Sequence, residues 1–144
     1  MSVRVKTILD QKGRDVVTIS PDATLGDAAR VLQEHKIGAL VVTGMEGRIV
    51  GIFTERDLVG AVGKRGGASL AEPVSSVMTA NVYRCGEDAT MNDVMEMMTS
   101  RRFRHVPVET SGKLSGIISI GDVVKNRIRE VELEAEQIKA YIAG

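Results

Sequence analysis

The sequence has little cysteine and few aromatic residues, and these shortages exclude several kinds of protein. Cys85 is the one cysteine among 144 residues, so the chain cannot form an internal disulfide. One cysteine and two histidines are too few ligands for a structural zinc site, and we predict no metal. Because free cysteines are usually buried and inert, we do not expect Cys85 to be a redox sensor. The scarcity of cysteine also favours a cytoplasmic protein.

Long apolar runs and an excess of one charge sign are absent as well. No stretch approaches the roughly 18 to 20 apolar residues of a membrane span, and residues 1–10 lack the apolar core of a secretory signal. Lysine plus arginine number 19, as do aspartate plus glutamate, so no net positive field attracts a polyanion. We therefore expect neither a membrane nor a nucleic acid as partner. The hydrophobic content of 43% is typical of a globular fold.

The sequence does contain an internal repeat, which indicates the architecture before any element is assigned. Residues 16–59 align with residues 82–124 after one deletion near Met45, and a weaker match relates residues 5–9 to residues 74–78. The chain is therefore predicted to be a tandem duplication. Identical pairs in the main alignment include Asp22/Asp88, Ala23/Ala89, Thr24/Thr90, Asp27/Asp93, Val42/Val108, Gly51/Gly116 and Asp57/Asp122.

Each unit contains an amphipathic helix, because apolar residues recur at positions i, i+3, i+4 and i+7. A threonine followed three residues later by aspartate precedes each helix and predicts a capping box. We expect the methionines of the second helix to fill the core. The residues are Thr24, Leu25, Asp27, Ala28, Ala29 and Leu32 in the first unit, and Thr90, Met91, Asp93, Val94, Met95, Met97 and Met98 in the second.

Two short apolar runs joined by a glycine-containing turn follow each helix, which is the pattern of a β-hairpin. The runs are 39–42 and 49–53 in the first unit, and 106–108 and 114–119 in the second. Each hairpin leads directly into another helix, and opening strands are predicted at 16–19 and 82–85. The predicted fold class is therefore α/β (α+β), with two βαββα repeats. The glycine-rich stretch 64–69 is predicted to be a mobile loop.

The last residues carry a heptad-like apolar stripe with the spacing 4, 3, 4, 3, 4. Because it covers only about two and a half heptads, two interpretations stay open: a terminal helix that lies on its own domain, or a helix that pairs with a second subunit. Further apolar helix surface predicts a homodimer. The stripe is Val124, Ile128, Val131, Ala135, Ile138 and Ile142, and the further surface is Leu58, Val62 and Val94.

A strand-to-helix junction with a hydroxyl and a carboxylate occurs once in each unit, as TERD at 54–57 and SIGD at 119–122. The hydroxyl and the carboxylate can simply cap the helix. A helix N-terminus is also an anion site, where the hydroxyl can bind a phosphate and the aspartate can accept both hydrogens of a ribose diol. On spacing alone both interpretations stay open. No motif of a nucleophile elbow, a Walker loop or a metalloprotease is present, so catalysis has no support.

The whole pattern resembles the tandem cystathionine-β-synthase (CBS) domain pair, or Bateman module, over all but the C-terminal end. The resemblance rests on GIFTERDL and GIISIGDV at the junctions, RHVPV at 104–108, VSSVMT at 74–79 and the opening VVTISPDATLGDA at 16–28. It implies two repeats packed through their sheets with pseudo-two-fold symmetry. On this basis residues 1–65 form the first CBS repeat, 66–127 a linker and the second repeat, and 128–144 a C-terminal helix.

The resemblance also implies a ligand, because the two clefts of such a pair bind adenosine-containing molecules. AMP is the simplest candidate, ADP, ATP and NAD(H) share its adenosine and phosphate, and S-adenosylmethionine belongs to the same class. The resemblance assigns ribose hydroxyls to Asp57 and Asp122, and the phosphate to Thr54 and Ser119. It assigns the adenine to Thr18, Ile19, Ala39 and Val41 in one cleft and to Tyr83, Cys85, His105 and Pro107 in the other, with Thr79 also in the candidate site.

Basic residues near the second junction make the two clefts unequal. Arg104 and His105 are candidates to neutralise a phosphate, because arginine forms bidentate bonds with phosphate oxygens. Arg56, beside the first junction, is a further candidate. We expect Arg104 and His105 to lie beside Asp122, and ligand binding therefore to depend more on Asp122 than on Asp57.

The resemblance implies a non-catalytic regulatory module that senses adenine nucleotides, for example as an energy sensor in signal transduction. The alternative is an interaction scaffold with vestigial clefts that recruits a partner through its C-terminal helix. An enzyme with unrecognised nucleotide chemistry is a third and weaker hypothesis. No effector domain is evident in the sequence, so the protein that responds is unknown.

Overall fold

The computed structural model describes residues 3–143, which form two similar halves. The first half contains β1 (Thr18–Ile19), α2 (Leu25–His35), β2 (Ala39–Thr43), β3 (Ile49–Thr54) and α3 (Glu55–Arg65), preceded by α1 (Val5–Lys12). The second half contains α4 (Met91–Arg101), β4 (His105–Thr110), β5 (Lys113–Ser119) and α5 (Ile120–Ala143). Short 3₁₀ helices span Met45–Gly47, Gly66–Ala71 and Val74–Ser76.

Each half has a small sheet built on a hairpin. In the first sheet β2 pairs antiparallel with β3 and parallel with β1. In the second, β4 pairs antiparallel with β5. The opening strand predicted at 82–85 is wrong in length. Only Cys85 pairs with the sheet, through a single bridge to Val108. The chain turns just before it, where the Val82 N–H donates to the Ala80 carbonyl at 3.0 Å.

The predicted helix starts are confirmed by reciprocal hydrogen bonds. The Asp27 N–H donates to Thr24 Oγ1 at 3.1 Å, and the Thr24 N–H donates to Asp27 Oδ2 at 3.2 Å. Thr90 and Asp93 make the same pair of bonds at α4. These boxes orient both helices so that their apolar stripes are buried. The buried residues are Leu25, Ala28 and Leu32 in α2, and Met91, Val94 and Met98 in α4.

Each core is completed by the segment that precedes the other repeat in the chain. Val5 and Leu9 of α1 are buried in the core of the second half, and the Val5 N–H donates to the Ala89 carbonyl at 2.8 Å. Val74 is buried in the core of the first half, and its N–H donates to the Ala23 carbonyl at 2.7 Å. The two halves are therefore joined by an exchange of segments.

A glycine in each hairpin permits this exchange. A Cβ at Gly51 would lie 2.6 Å from Met78 Sδ and 2.9 Å from the Thr79 carbonyl oxygen. A Cβ at Gly116 would lie 2.7 Å from a terminal methyl group of Leu9. Because real Cβ contacts are longer than this, the packed segments require glycine at both equivalent positions.

Several expectations about the helices need correction. The stretch 64–69 is not a mobile loop: it ends α3 and enters a 3₁₀ helix, in which buried Ser69 donates through Oγ to the Gly66 carbonyl at 2.7 Å. Val94 is not surface, because it is buried in the second core, and Leu58 is half-buried against the first. Val62 and Val124 are exposed as predicted. Helix α5 runs unbroken through residue 127 to Ala143.

Among residues 3–143, no helix is both long enough and apolar enough to span a bilayer.

Candidate functional site

A cleft of about 330 Å³ lies where the two halves meet. Its size is at the lower end of the roughly 300–1,000 Å³ of small-molecule sites. Three stretches form it: the start of α3, the chain that leads away from Thr79, and the loop that leads into β4. The lining residues are Gly38, Ile52, Thr54, Glu55, Arg56, Asp57, Thr79, Asn81, Val82, Tyr83, Arg102, Phe103, Arg104 and His105.

Asp57 lies at the start of α3 on one wall of this cleft, held by a capping box. Its Oδ2 accepts hydrogen bonds from the Thr54 N–H at 2.9 Å and from Thr54 Oγ1 at 3.1 Å. The Asp57 N–H donates to Thr54 Oγ1 at 3.3 Å. Within residues 3–143 its other oxygen, Oδ1, accepts from no protein group, and no cation pairs with the carboxylate. Capping therefore uses one carboxylate oxygen and leaves the second available to a ligand.

Guanidinium groups line the cleft beside this carboxylate. Arg56 lies in the first turn of α3, and Arg102 and Arg104 lie in the loop between α4 and β4. The backbone places this loop next to the start of α5, because the Ile120 N–H donates to the Arg104 carbonyl at 2.8 Å. Three arginines against two carboxylates, Asp57 and Glu55, make the cleft suitable for an anion.

His105 supplies a neutral polar group to the same cleft. Burial lowers the pKa of His105 below its usual 6.5, although the nearby Glu55 carboxylate partly opposes this shift. The imidazole is therefore uncharged at neutral pH and can both donate and accept a hydrogen bond.

An aromatic platform forms one edge of the cleft. The Tyr83 and Phe103 rings stack with centroids 5.5 Å apart and planes inclined by 16°. The Arg101 guanidinium carbon lies 4.7 Å from the centroid of Tyr83. The sequence alone does not indicate Phe103 as a site residue, because no motif surrounds it between Arg102 and Arg104. Such rings offer a flat apolar surface of the kind on which bases stack.

Asp122, the counterpart of Asp57, has a different environment. Its Oδ2 lies 2.7 Å from Lys12 Nζ and also accepts from the Ser119 N–H at 2.8 Å and from Ser119 Oγ at 3.0 Å. Burial alone would raise the pKa of Asp122, but the hydrogen bonds from Lys12 and Ser119 outweigh it and lower the pKa. Asp122 lines a separate groove of about 460 Å³ between α1 and α5.

The structure therefore brings together seven of the predicted site residues and separates the others. Thr18 and Ile19 lie in β1, and Ala39 and Val41 are buried in β2. Pro107 is buried in β4, and Ser119 caps α5. Burial raises the pKa of the half-buried Cys85 to about 11. The seven residues gathered in the first cleft are Thr54, Arg56, Asp57, Thr79, Tyr83, Arg104 and His105.

The expected neighbours of Asp122 need correction only in part. Arg104 and His105 line the cleft of Asp57. His105 also pairs with Ser119 across the second sheet and feels the charge of Asp122, so it lies between the two aspartates. Lys12 instead provides the cation beside Asp122. Within the described part of the chain, no three histidine, cysteine, aspartate or glutamate side chains are grouped so that they could hold a metal ion.

Comparison with known proteins agrees with this architecture. The family model of the CBS domain matches twice, at residues 5–64 and 74–129. A CBS-domain containing protein from Agrobacterium tumefaciens is 60% identical, with a TM-score of 0.83 over 88% of this chain and 95% of its own. An uncharacterized 17.7 kDa protein of Acidianus ambivalens is 37% identical over 87% of this chain and 73% of its own.

A third similar protein has been crystallised with adenosine compounds. The CBS domain pair of protein MJ0100, in complex with 5′-methylthioadenosine and S-adenosyl-L-methionine, is 25% identical. It has a TM-score of 0.77 over 87% of this chain and 95% of its own. The doubled family match, the exchanged segments and the cleft between two similar halves have one explanation: this chain belongs to the CBS domain family and contains a pair of CBS domains.

Proposed function

We propose that this CBS pair is a non-catalytic regulatory module that binds one adenine nucleotide in the cleft of Asp57. The observation that carries the proposal is the unused Oδ1 of Asp57 in a cleft with three arginines. A carboxylate oxygen without a cation accepts ribose hydroxyl hydrogens, while guanidinium groups bind phosphate. Both groups are needed to recognise a nucleoside phosphate.

The remaining contacts follow from the walls of the cleft. The ribose lies against Asp57, and the phosphate lies between Thr54, Arg56 and Arg104. The adenine lies towards Tyr83, a residue that is 42% exposed at the edge of the cleft. This arrangement favours AMP over S-adenosylmethionine, because the sulfonium of the latter is positive and the cleft is lined by arginines. NAD(H), ADP and ATP can bind the same site through their AMP portion.

The cleft of Asp122 takes no nucleotide in this proposal. Lys12 Nζ lies 2.7 Å from Asp122 Oδ2 and neutralises the charge of the carboxylate that would otherwise accept ribose hydroxyls. A carboxylate already paired with a cation is a weaker acceptor for ribose hydroxyls than the unpaired Asp57, which lowers the affinity of this groove. We therefore propose a stoichiometry of one nucleotide per chain.

The proposal is tested by thermal unfolding of the purified chain with AMP, ATP, NAD(H) or S-adenosylmethionine, with inorganic phosphate as control. A ligand at 100 times its dissociation constant stabilises the native state by about 2.7 kcal/mol, which raises Tm by several degrees. We expect AMP to give such a shift and phosphate alone a much smaller one. Isothermal titration then gives the stoichiometry. Absence of a shift with every adenosine compound would leave the scaffold hypothesis, and hydrolysis of ATP over hours would contradict a non-catalytic role.

We also propose that the chain forms a homodimer in the cytoplasm. Exposed Val59 and Val62 on α3 and Val124 on α5 support this, because large apolar side chains exposed on helices favour burial against a partner. The test is the mass by light scattering at micromolar concentration, where a monomer would contradict the proposal.

A further inference from the structure

Helix α5 contacts its own domain with the face opposite to its heptad stripe. Val123 is buried in the second core, and Asn126 donates through Nδ2 to Glu130 Oε1 at 3.0 Å on the same side. Leu133 lines the groove shared with α1. If the stripe residues occupy positions a and d of a heptad, Val123 and Glu130 fall at c, and Asn126 and Leu133 fall at f. Positions c and f lie on the side of a helix opposite to a and d, so the stripe points away from the second CBS domain.

The stripe is consequently open to solvent along its whole length. Its valines and isoleucines are between 48% and 78% exposed, and Ala135 is exposed as well. With a rise of about 1.5 Å per residue, the stripe extends roughly 27 Å from Val124 to Ile142. Apolar surface of this length on one side of a helix is typical of a helix that pairs with another.

We propose that the stripe is covered by α5 of a second copy of this chain, running parallel and in register. This inference rests on the proposed homodimer and adds its contact and its orientation. With the stripe at the a and d positions, Arg127 and Glu134 are at g, and Glu132 and Lys139 are at e. Parallel pairing then sets Arg127 against Glu132 of the second copy, and Glu134 against Lys139 of the second copy. Both contacts join opposite charges.

The same charges disfavour the antiparallel arrangement. If the whole stripe overlaps in opposite directions, Lys125 faces Lys139 of the second copy. Glu132 then faces Glu132 of the second copy, and Glu134 faces Glu134 of the second copy. These contacts join like charges along the full length of the helix. The charge pattern therefore selects the parallel orientation as well as the partner.

The orientation is tested by disulfide cross-linking in the full chain, with Cys85→Ala removing the native thiol. Ile142→Cys places a thiol on the stripe, and Ala140→Cys places one on the outer face of the same turn as a matched control. Parallel pairing brings the two thiols introduced by Ile142→Cys together, whereas antiparallel overlap separates them by roughly 27 Å. We expect the I142C dimer to form at least tenfold faster than the A140C dimer under mild oxidation, and equal rates would overturn the inference.

A charge exchange provides a second test. Glu134→Lys and Lys139→Glu each create two like-charge contacts in a parallel dimer, so each should raise the dimer dissociation constant severalfold. The double variant restores opposite charges and should return the constant to near the wild-type value. A double variant as weak as the singles would overturn the parallel register. A dimeric mass without I142C cross-linking would reject this inference alone, whereas a monomeric mass would also reject the proposed homodimer.

Discussion

Lys12 Nζ lies 2.7 Å from Asp122 Oδ2, across a separation of 110 residues. The equivalent carboxylate of the first repeat, Asp57, makes its capping bonds to Thr54 but has no such cation among residues 3–143. Two aspartates at the same position of a duplicated unit therefore have different electrostatic environments. This difference is the reason for proposing that the ribose binds at Asp57 rather than at Asp122.

Asparagine at position 57 should weaken nucleotide binding far more than asparagine at position 122. Asp57→Asn replaces one carboxylate oxygen by a donor, which weakens a charge-assisted contact and should reduce affinity for AMP by about tenfold or more. Asp122→Asn should leave the affinity near that of the wild type. Isothermal titration measures both constants.

The matched control for this prediction is Asp93→Asn, because Asp93 caps α4 with the same reciprocal backbone bonds but lies outside the cleft. All three variants should lose a few tenths to about 1 kcal/mol of unfolding free energy. Equal affinities in D57N and D93N would remove Asp57 from the binding site.

Replacing Lys12 by methionine should change how the free energy of unfolding depends on pH in the acid range. The pKa of Asp122 is lowered in the folded state, so the pair contributes stability above the usual aspartate pKa and loses it as pH falls through the lowered value. Lys12→Met should remove about 0.2–1 kcal/mol at pH 7 and progressively less as pH falls through the lowered pKa of Asp122. Urea unfolding at a series of pH values measures the difference.

Lys6→Met serves as control, because the partner of Lys6 on α1 is the exposed Asp10, which also pairs with Arg14 at 2.7 Å. Its effect should be smaller at every pH. A K12M profile that parallels the wild type down to pH 2 would contradict the prediction.

Alanine at Gly51 or Gly116 should destabilise the fold by about 1–3 kcal/mol, as expected for overpacking. Gly51→Ala should cost more, because one obstacle is the Thr79 carbonyl of the backbone, whereas at Gly116 the obstacle is the flexible end of Leu9. Gly60→Ala, in α3 with open space around it, should instead stabilise by about 0.5–1 kcal/mol. The midpoints of denaturant unfolding measure these changes. Equal midpoints for all three variants would contradict the prediction.

The Cys85 thiol should be unreactive in the native protein. Burial raises its pKa to about 11, so only a small fraction is thiolate at pH 8. Reaction with a thiol reagent such as Ellman's reagent should be slow and should become fast in denaturant. Rapid labelling of the native chain would restore the redox hypothesis.

Local features of the fold were predictable from the sequence because their partners lie close along the chain. Thr24 and Asp27 are three residues apart, and the repeat doubled the information on each element. The strand predicted at 82–85 was too long because pairing depends on the path of the chain, which turns at Val82. The glycine-rich stretch was misjudged because composition does not reveal that Ser69 is buried.

The candidate site was predictable only in part. Position in the repeat identified Thr54 and Asp57, which the fold brings into one cleft. The resemblance assigns Tyr83 to the other cleft, whereas the structure places it in this one. Position in the repeat could not indicate that Lys12 reaches Asp122, since no periodicity connects a helix before the first repeat with a helix of the second. For the same reason it could not indicate that Arg104, although hydrogen-bonded to the start of α5, lines the cleft of Asp57.

The exchange of segments between the halves also constrains how the chain assembles during synthesis. Helix α1 emerges from the ribosome before either repeat, yet Leu9 packs with residues as late as Ile118 and Val123. At roughly 5–20 residues per second, α1 waits several seconds or more for its partners. The first half can close once Val74 has been made, but until then its hairpin lacks the segment that covers it. Helix α1 is therefore made before either repeat but is buried only after most of the second repeat has been made.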